Sequence, residues 1–168
     1  HIAGEGRPGP VWIDYPMDIQ GKNITISDLT HFSSPKKVIK SPSSSDIQKV
    51  LNMIKLAERP VFWLGHGIRL SGSVDKIIPL LEKYKFPTLV SWAGLDMLND
   101  NHLINDGRAG VYGNISANFI LHNSDLVIAI GNRMAIPMIG YEHNELARNA
   151  KIIQVGIDED ELLKTKNI

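Results

Sequence analysis

The stretch NISANFILHNSDLVIAIGNRMAIPMIGY, residues 114–141, decides how the rest of the chain is read. Asn114 is a residue type that caps helices, and Ile115, Phe119, Ile120 and His122 follow it in a helix-compatible pattern. Leu126–Ile130 is an unbroken apolar run that ends at Gly131-Asn132-Arg133. A parallel strand buried on both faces reads as such a run, and it meets its ligand-facing loop at its carboxyl end. The Gly131 turn is therefore expected near whatever the chain binds, in a site of nucleotide size.

Working outward, Pro60 precedes a second apolar run, Val61-Phe62-Trp63-Leu64, which enters Gly65-His66-Gly67-Ile68-Arg69. Val74, Ile77, Ile78, Leu81 and Tyr84 then recur at helical spacing, with Pro79 among them, so that helix must begin late or kink. Pro87 introduces Thr88-Leu89-Val90. Strand, glycine turn, helix and strand make a βαβ unit, whose crossover is right-handed. Upstream, Ser45-Asp46-Ile47-Gln48 has the form of a capping box, opening a helix from about Asp46 to Glu58. Downstream, a short helix is expected within 142–149, a strand at Ile152–Val155 and the start of a last helix at Glu159–Lys164. Trp92–Gly113, with four glycines and three asparagines, reads as a long shaped loop.

The first residues read differently. HIAGEGRPGP is turn-rich, and Val11-Trp12-Ile13 before Asp14, Tyr15 and Pro16 reads as a lone strand. It would be either an edge strand of the main sheet or the last strand of a preceding domain. Residues 17–44, with Ser33-Ser34-Pro35 and serines around Pro42, read as a linker. The chain opens on His1 rather than methionine, so a piece of a longer protein is expected.

Eighteen basic residues balance eighteen acidic ones, which gives no global field toward nucleic acid or an anionic membrane. The absence of cysteine removes disulfides, thiolate metal sites and cysteine nucleophiles. No apolar run approaches the ~20 residues that span a bilayer, and no signal peptide opens the chain. The expected compartment is the cytoplasm.

Gly65-His66-Gly67 sits where a strand turns into a helix, a place where backbone N–H groups can approach a diphosphate. The dinucleotide fingerprint is incomplete, because Leu70 stands where its third glycine belongs and Ser91-Trp92 where a ribose-binding acid belongs. A phosphate loop fails at Ser73, which occupies the lysine position. The six histidines lack metal-site spacing, and His66 is the best functional candidate among them. Arg108 and Arg133 are candidates for phosphate or for surface ion pairs. Asp158 suits a ribose or adenine contact or a helix cap.

Four blocks, GRPGPVWIDYPMDIQ (6–20), RPVFWLGHGIRLSG (59–72), GRAGVYGNISANFILHNSDLVIAIGNR (107–133) and KIIQVGID (151–158), together resemble the central domain of thiamine-diphosphate enzymes of the acetolactate synthase type. The resemblance implies an α/β, Rossmann-like (DHS-like), mostly parallel sheet flanked by helices, with about six strands in the complete domain. It implies that 1–16 is the tail of a pyrimidine-binding domain, 17–44 an interdomain linker and 45–168 the central domain, cut before its last strand and helix. Cofactor-lining turns carried over by position are Gly65-His66-Gly67, Ser91-Trp92, Gly110-Val111-Tyr112-Gly113, Gly131-Asn132-Arg133 and Ile157-Asp158.

In close relatives this domain holds FAD. Here Met134-Ala135-Ile136-Pro137 replaces the F-D-D-R of flavin-binding members, and Gly156 stands where they often have aspartate. The implied parent uses thiamine diphosphate and Mg²⁺, both bound outside this chain, to decarboxylate a 2-keto acid and join or release the fragment. Its expected partners are its own remaining domains, a second copy of itself and its small-molecule substrate, with neither nucleic acid nor membrane. No catalytic glutamate of the pyrimidine domain and no G-D-G…N stretch occurs here, so this chain alone is expected to be inert. The alternatives are a cofactor-free structural module and a free-standing nucleotide-binding, NAD-dependent deacylase or electron-transfer domain. The missing ribose carboxylate and zinc cysteines weigh against the deacylase.

Overall fold

The computed structural model describes residues 1–35 and 41–164, and it divides into two compact units, His1–Ser41 and Pro42–Ile168. The first unit holds a single helical turn, α1 (Met17–Gln20), between 3-10 turns at Ile2–Gly4 and Ile26–Asp28. All its described residues are exposed, so it has no core of its own. Val11-Trp12-Ile13 forms no strand, contrary to the sequence expectation, and Trp12 is 91% exposed. A strand exists only when a neighbour takes its backbone groups, and among the described residues none takes those of Val11–Ile13. Residues 36–40 of the expected linker lie outside the described residues.

The second unit is built on five parallel strands, β1 (Pro60–Leu64), β2 (Thr88–Val90), β3 (Asn105–Arg108), β4 (Leu126–Ile130) and β5 (Lys151–Val155), in the order β3-β2-β1-β4-β5. Alternate residues of the central strands feed two cores. Val61, Trp63, Leu89, Val127 and Ala129 enter one, with Ala117 and Leu121 of helix α5 (Ile115–Asn123) and with Met134, Ile139 and Leu146. Phe62, Leu64, Val90, Leu126 and Ile128 enter the other, against Met53 and Ile54 of α2 (Ser44–Leu56) and against Val74, Ile77 and Leu81 of α4 (Val74–Tyr84). The result is a three-layer α/β/α domain. Connections toward β2 pass over one face and those toward β4 and β5 over the other, as a uniform crossover hand requires when the strand order reverses.

The order reverses between β1 and β4, and there the two carboxyl-end turns meet backbone to backbone. A Cβ added at Gly65 would lie 2.2 Å from the Gly131 carbonyl oxygen, and one at Gly67 would lie 2.7 Å from the Gly131 Cα. Gly131 itself has φ +59°, a left-handed conformation that side chains resist. The Gly65 N–H donates to Ile130 O and the Gly67 N–H to Gly131 O, both at 2.9 Å. At the opposite end of these strands, Asp125 accepts from the Glu58 and Arg59 N–H groups at 2.7 and 2.9 Å. Burial acts to raise the Asp125 pKa, but these bonds to the ionised form outweigh it and hold the carboxyl below its ordinary range.

Several boundaries differ from the sequence expectation. The cap of α2 is Ser43 rather than Ser45, since Ser43 Oγ accepts from the Asp46 N–H at 3.1 Å. Helix α4 runs through Pro79 from Val74 to Tyr84. The expected loop Trp92–Gly113 contains a 3-10 turn, Trp92–Met97, and strand β3. In 142–149 only a 3-10 turn, His143–Glu145, forms, and the helical turn α6 lies earlier, at Ile136–Ile139. Among the described residues the sheet has five strands, all parallel. A final helix, α7 (Glu159–Lys164), follows β5.

Gly65→Ala should cost about 2–3 kcal/mol of unfolding free energy in urea denaturation, because its methyl meets backbone that has no rotamer to move. Gly4→Ala, where nothing lies within 4 Å, should be neutral.

Candidate functional site

All five strands point the same way, so every turn singled out in the sequence lies at one edge of the sheet. Gly65-His66-Gly67 follows β1, Ser91-Trp92 follows β2, and Gly110–Gly113 follows β3. Gly131-Asn132-Arg133 follows β4 and Ile157-Asp158 follows β5. In open α/β sheets this edge, at the point where strand order reverses, is where ligands bind.

The β1 and β2 turns are tied together. The Ser91 N–H donates to Leu64 O at 2.8 Å, and Arg69 of the helical turn α3 (Gly67–Leu70) pairs with Asp96 at 2.7 Å. His66 Nδ1 lies 2.8 Å from Ala93 O. A carbonyl only accepts, so Nδ1 carries the proton in that bond, and the neutral ring then has its lone pair on Nε2. The turn so fixed carries Trp92, whose ring stacks on Tyr112 at 5.3 Å between centroids and 18° between planes. Both rings are more than half exposed, and Val111 beside them and Ile157 are exposed as well. Tyr112 is held in turn by Gly110, whose N–H and carbonyl are both taken by the Asn118 side chain at 2.8 and 3.0 Å.

The polar candidates are largely engaged within the chain. Arg133 Nε donates to Glu161 Oε1 at 3.0 Å, and Lys164 pairs with the same oxygen at 2.9 Å. The Lys164 and Arg133 bonds hold the Glu161 carboxyl below its ordinary range against the opposing effect of burial. Asp158 Oδ1 accepts from the Glu161 N–H at 3.3 Å, a capping contact for α7. Asn132 is buried, with Oδ1 accepting from the Met134 N–H at 2.9 Å. Among the described residues its Nδ2 has no hydrogen-bond partner, an arrangement that costs about 1–3 kcal/mol unless an acceptor is supplied. Met134 sits at φ +52°, in the left-handed region that non-glycine residues seldom adopt.

Sequence reading passed over a second feature. A polar cavity of about 440 Å³ lies along edge strand β3, lined by Asp106, Arg108, Asn105, Asn114 and Ser116 among others, and apart from the glycine turns. Asn105 and Asn114 side-chain oxygens accept from the Gly107 and Arg108 N–H groups at 3.0 and 2.9 Å, which keeps the edge from pairing with another strand. Asn114 thus serves β3 rather than capping α5 with its side chain. Burial raises the Asp106 pKa, and only the Thr88 N–H bond at 3.1 Å opposes it. Among the described residues no group of three or more His, Asp or Glu could hold a metal ion, and no helix is long and apolar enough to cross a membrane.

Residues 47–168 match the family described as "Thiamine pyrophosphate enzyme, central domain". The chain belongs to that family. It is 38% identical over 98% of its length to the acetolactate synthase isozyme 1 large subunit of Escherichia coli. It is 34% identical over 99% of its length to the probable acetolactate synthase large subunit of Methanococcus aeolicus, and 33% identical over 98% to the acetolactate synthase large subunit of Lactococcus lactis. It spans only 28–29% of the length of those relatives. The central domain is therefore a part of longer chains in this family, and the turns described above are the carboxyl edge of that part.

An acid whose folded pKa is raised carries a penalty that is absent below its unfolded value and grows as pH rises through the folded one. Asp106→Asn keeps an acceptor for the Thr88 N–H, so it should raise the urea midpoint at pH 7. The gain should vanish below about pH 4, near the unfolded value, in denaturation curves taken across that range.

Proposed function

We propose that this chain is the central domain of a thiamine-diphosphate-dependent enzyme that decarboxylates a 2-keto acid and transfers or releases the resulting fragment, as the named relatives' acetolactate synthase activity suggests. The observation that carries this is the likeness to their large subunits along nearly the whole chain. In the proposed domain plan, residues 1–16 leave a pyrimidine-binding domain, 17–44 link it, and 45–168 are the central domain. Thiamine diphosphate and Mg²⁺ belong to the other domains, so this chain by itself has no catalytic residue. The parent's substrate, its pairing into an oligomer and its cytoplasmic location are part of the same proposal.

Within the parent, the carboxyl edge is proposed to take a nucleotide-class group, a flavin or an adenine nucleotide. The exposed Trp92–Tyr112 stack, flanked by Val111, fits the planar part of such a group. Among the described residues two buried side-chain donors lack a partner, Trp63 Nε1 and Asn132 Nδ2, and Asn132 stands at the switch point. A flavin when bound supplies redox capacity, whereas the side chains here can only bind, orient and exclude water. The second reading, a cofactor-free spacer, is favoured by the polar groups that a diphosphate would need. The Gly65 and Gly67 N–H groups donate to β4 and its turn, and Arg133 is paired with Glu161.

Calorimetry of the chain with FAD, ADP and NAD separates the two. FAD binding weakened about tenfold by Trp92→Ala, the loss of one aromatic stacking contact, supports the first reading, and binding of none supports the spacer. For the parent, a G-D-G…N stretch downstream of this domain is expected, and its absence would contradict thiamine dependence.

A further inference from the structure

Arg59, Arg69, Arg133 and Arg148 each pair with a carboxylate. Arg108 is half-buried, yet among the described residues its guanidinium has neither an ion pair nor a hydrogen bond. It lines the cavity along β3 together with Asp106 and Asp100, and neither carboxylate pairs with it. Asp106 accepts only from the Thr88 N–H, at 3.1 Å, and burial raises its pKa against that single bond. An acid and a base that share one cavity without meeting are both left short of a counter-charge. Strand β3 brings them there through a bulge. Thr88 pairs with Asn105 and Val90 with Arg108, so β3 advances three residues where β2 advances two, with Gly107 at φ +97°. A bulge breaks the alternation of a strand and re-aims its side chains, and bulges concentrate beside binding sites.

We propose that this cavity is a binding site for a small zwitterion, an α-amino acid with an apolar side chain, its carboxylate on Arg108 and its ammonium on Asp106. The charges decide the class. Two carboxylates stand against one guanidinium, so a phosphate or a dicarboxylate would meet net repulsion. A zwitterion supplies both missing partners, each through a charge-assisted hydrogen bond. Asn114 gives its side-chain oxygen to the Arg108 N–H at 2.9 Å, and among the described residues its Nδ2 and the Ser116 hydroxyl have no partner, so both can serve the ligand's carboxylate. Val90, Leu95 and Ile120 make the apolar part of the lining, against which a hydrocarbon side chain can lie. The volume of about 440 Å³ falls at the small end of the roughly 300–1,000 Å³ usual for ligand pockets. The site stands apart from the glycine turns and does not depend on what the carboxyl edge holds.

The second unit has two cores of its own, so the chain itself serves for the test. L-norvaline is titrated into the isotope-labelled chain and the amide shifts are followed by NMR, with pentanoate and butylamine as probes that keep only one of its two charges. Norvaline should saturate at roughly millimolar concentration, shifting Gly107, Arg108, Asn114 and Ser116 but not Gly67 or Gly131. Arg108→Gln and Asp106→Asn should each weaken it at least about tenfold, as the loss of a charge-assisted bond does. Pentanoate and butylamine should bind the unaltered chain more weakly by a similar factor. Asp106→Asn is expected to be the more stable protein at pH 7, so weaker binding by that variant is not a sign of unfolding. Equal binding of norvaline and pentanoate would overturn the zwitterion site and leave a plain anion contact at Arg108. Shifts confined to the glycine turns would also overturn it, as would no saturation up to about 20 mM, too weak for two paired charges.

Discussion

The contact on which the rest of the second unit depends is the approach of two glycine turns at the point where strand order reverses. Strands β1 and β4 pair in register over five residues, and their turns then continue the contact through Gly65, Gly67 and Gly131 without any side chain between them. Side chains at these positions would force the turns apart by more than the sheet spacing tolerates. Because the turns stay together, β2 and β5 end at the same level on either side, and Gly131 N–H reaches Val155 O at 2.8 Å. Five loops from distant parts of the sequence thereby share one edge.

That same contact changes what the G-x-G turn means. Glycine at such a turn suggests N–H groups offered to a phosphate. Here the two glycine N–H groups are bound to the neighbouring strand and its turn, so close packing is a sufficient reason for both residues. The surface left to a ligand is aromatic and apolar, and its position is set by short ties: His66 to Ala93, Arg69 to Asp96, Asn118 to Gly110.

The fold was legible wherever burial imposes a pattern. The runs Val61–Leu64, Thr88–Val90 and Leu126–Ile130 are apolar because both faces of a central parallel strand are covered, and all three lie within the strands observed. Strand β3 was not legible, since Asn-Asp-Gly-Arg at a sheet edge faces water and carries side chains that block further pairing. The cap at Ser43 escaped notice because three serines stand in a row, and only geometry tells which Oγ meets a helix N–H. Val11–Ile13 failed in the other direction, an apolar run that forms no strand with any of the described residues. The turns after β1, β2, β4 and β5 were legible as positions after strands, whereas Gly110–Gly113, after the unread β3, entered only through the family resemblance. The engagement of Arg133 by Glu161, far along the chain, was not, because ion pairs of that separation leave no local signal.

Amide hydrogen exchange at Gly67 tests the central contact most directly. If its N–H is held by Gly131 O in a turn that cannot open without separating β1 from β4, it should exchange only through global unfolding, with the same free energy as the amides of Phe62 and Ile128 in the core strands. Exchange of Gly67 at rates typical of a surface loop, while those strand amides stay protected, would contradict the account.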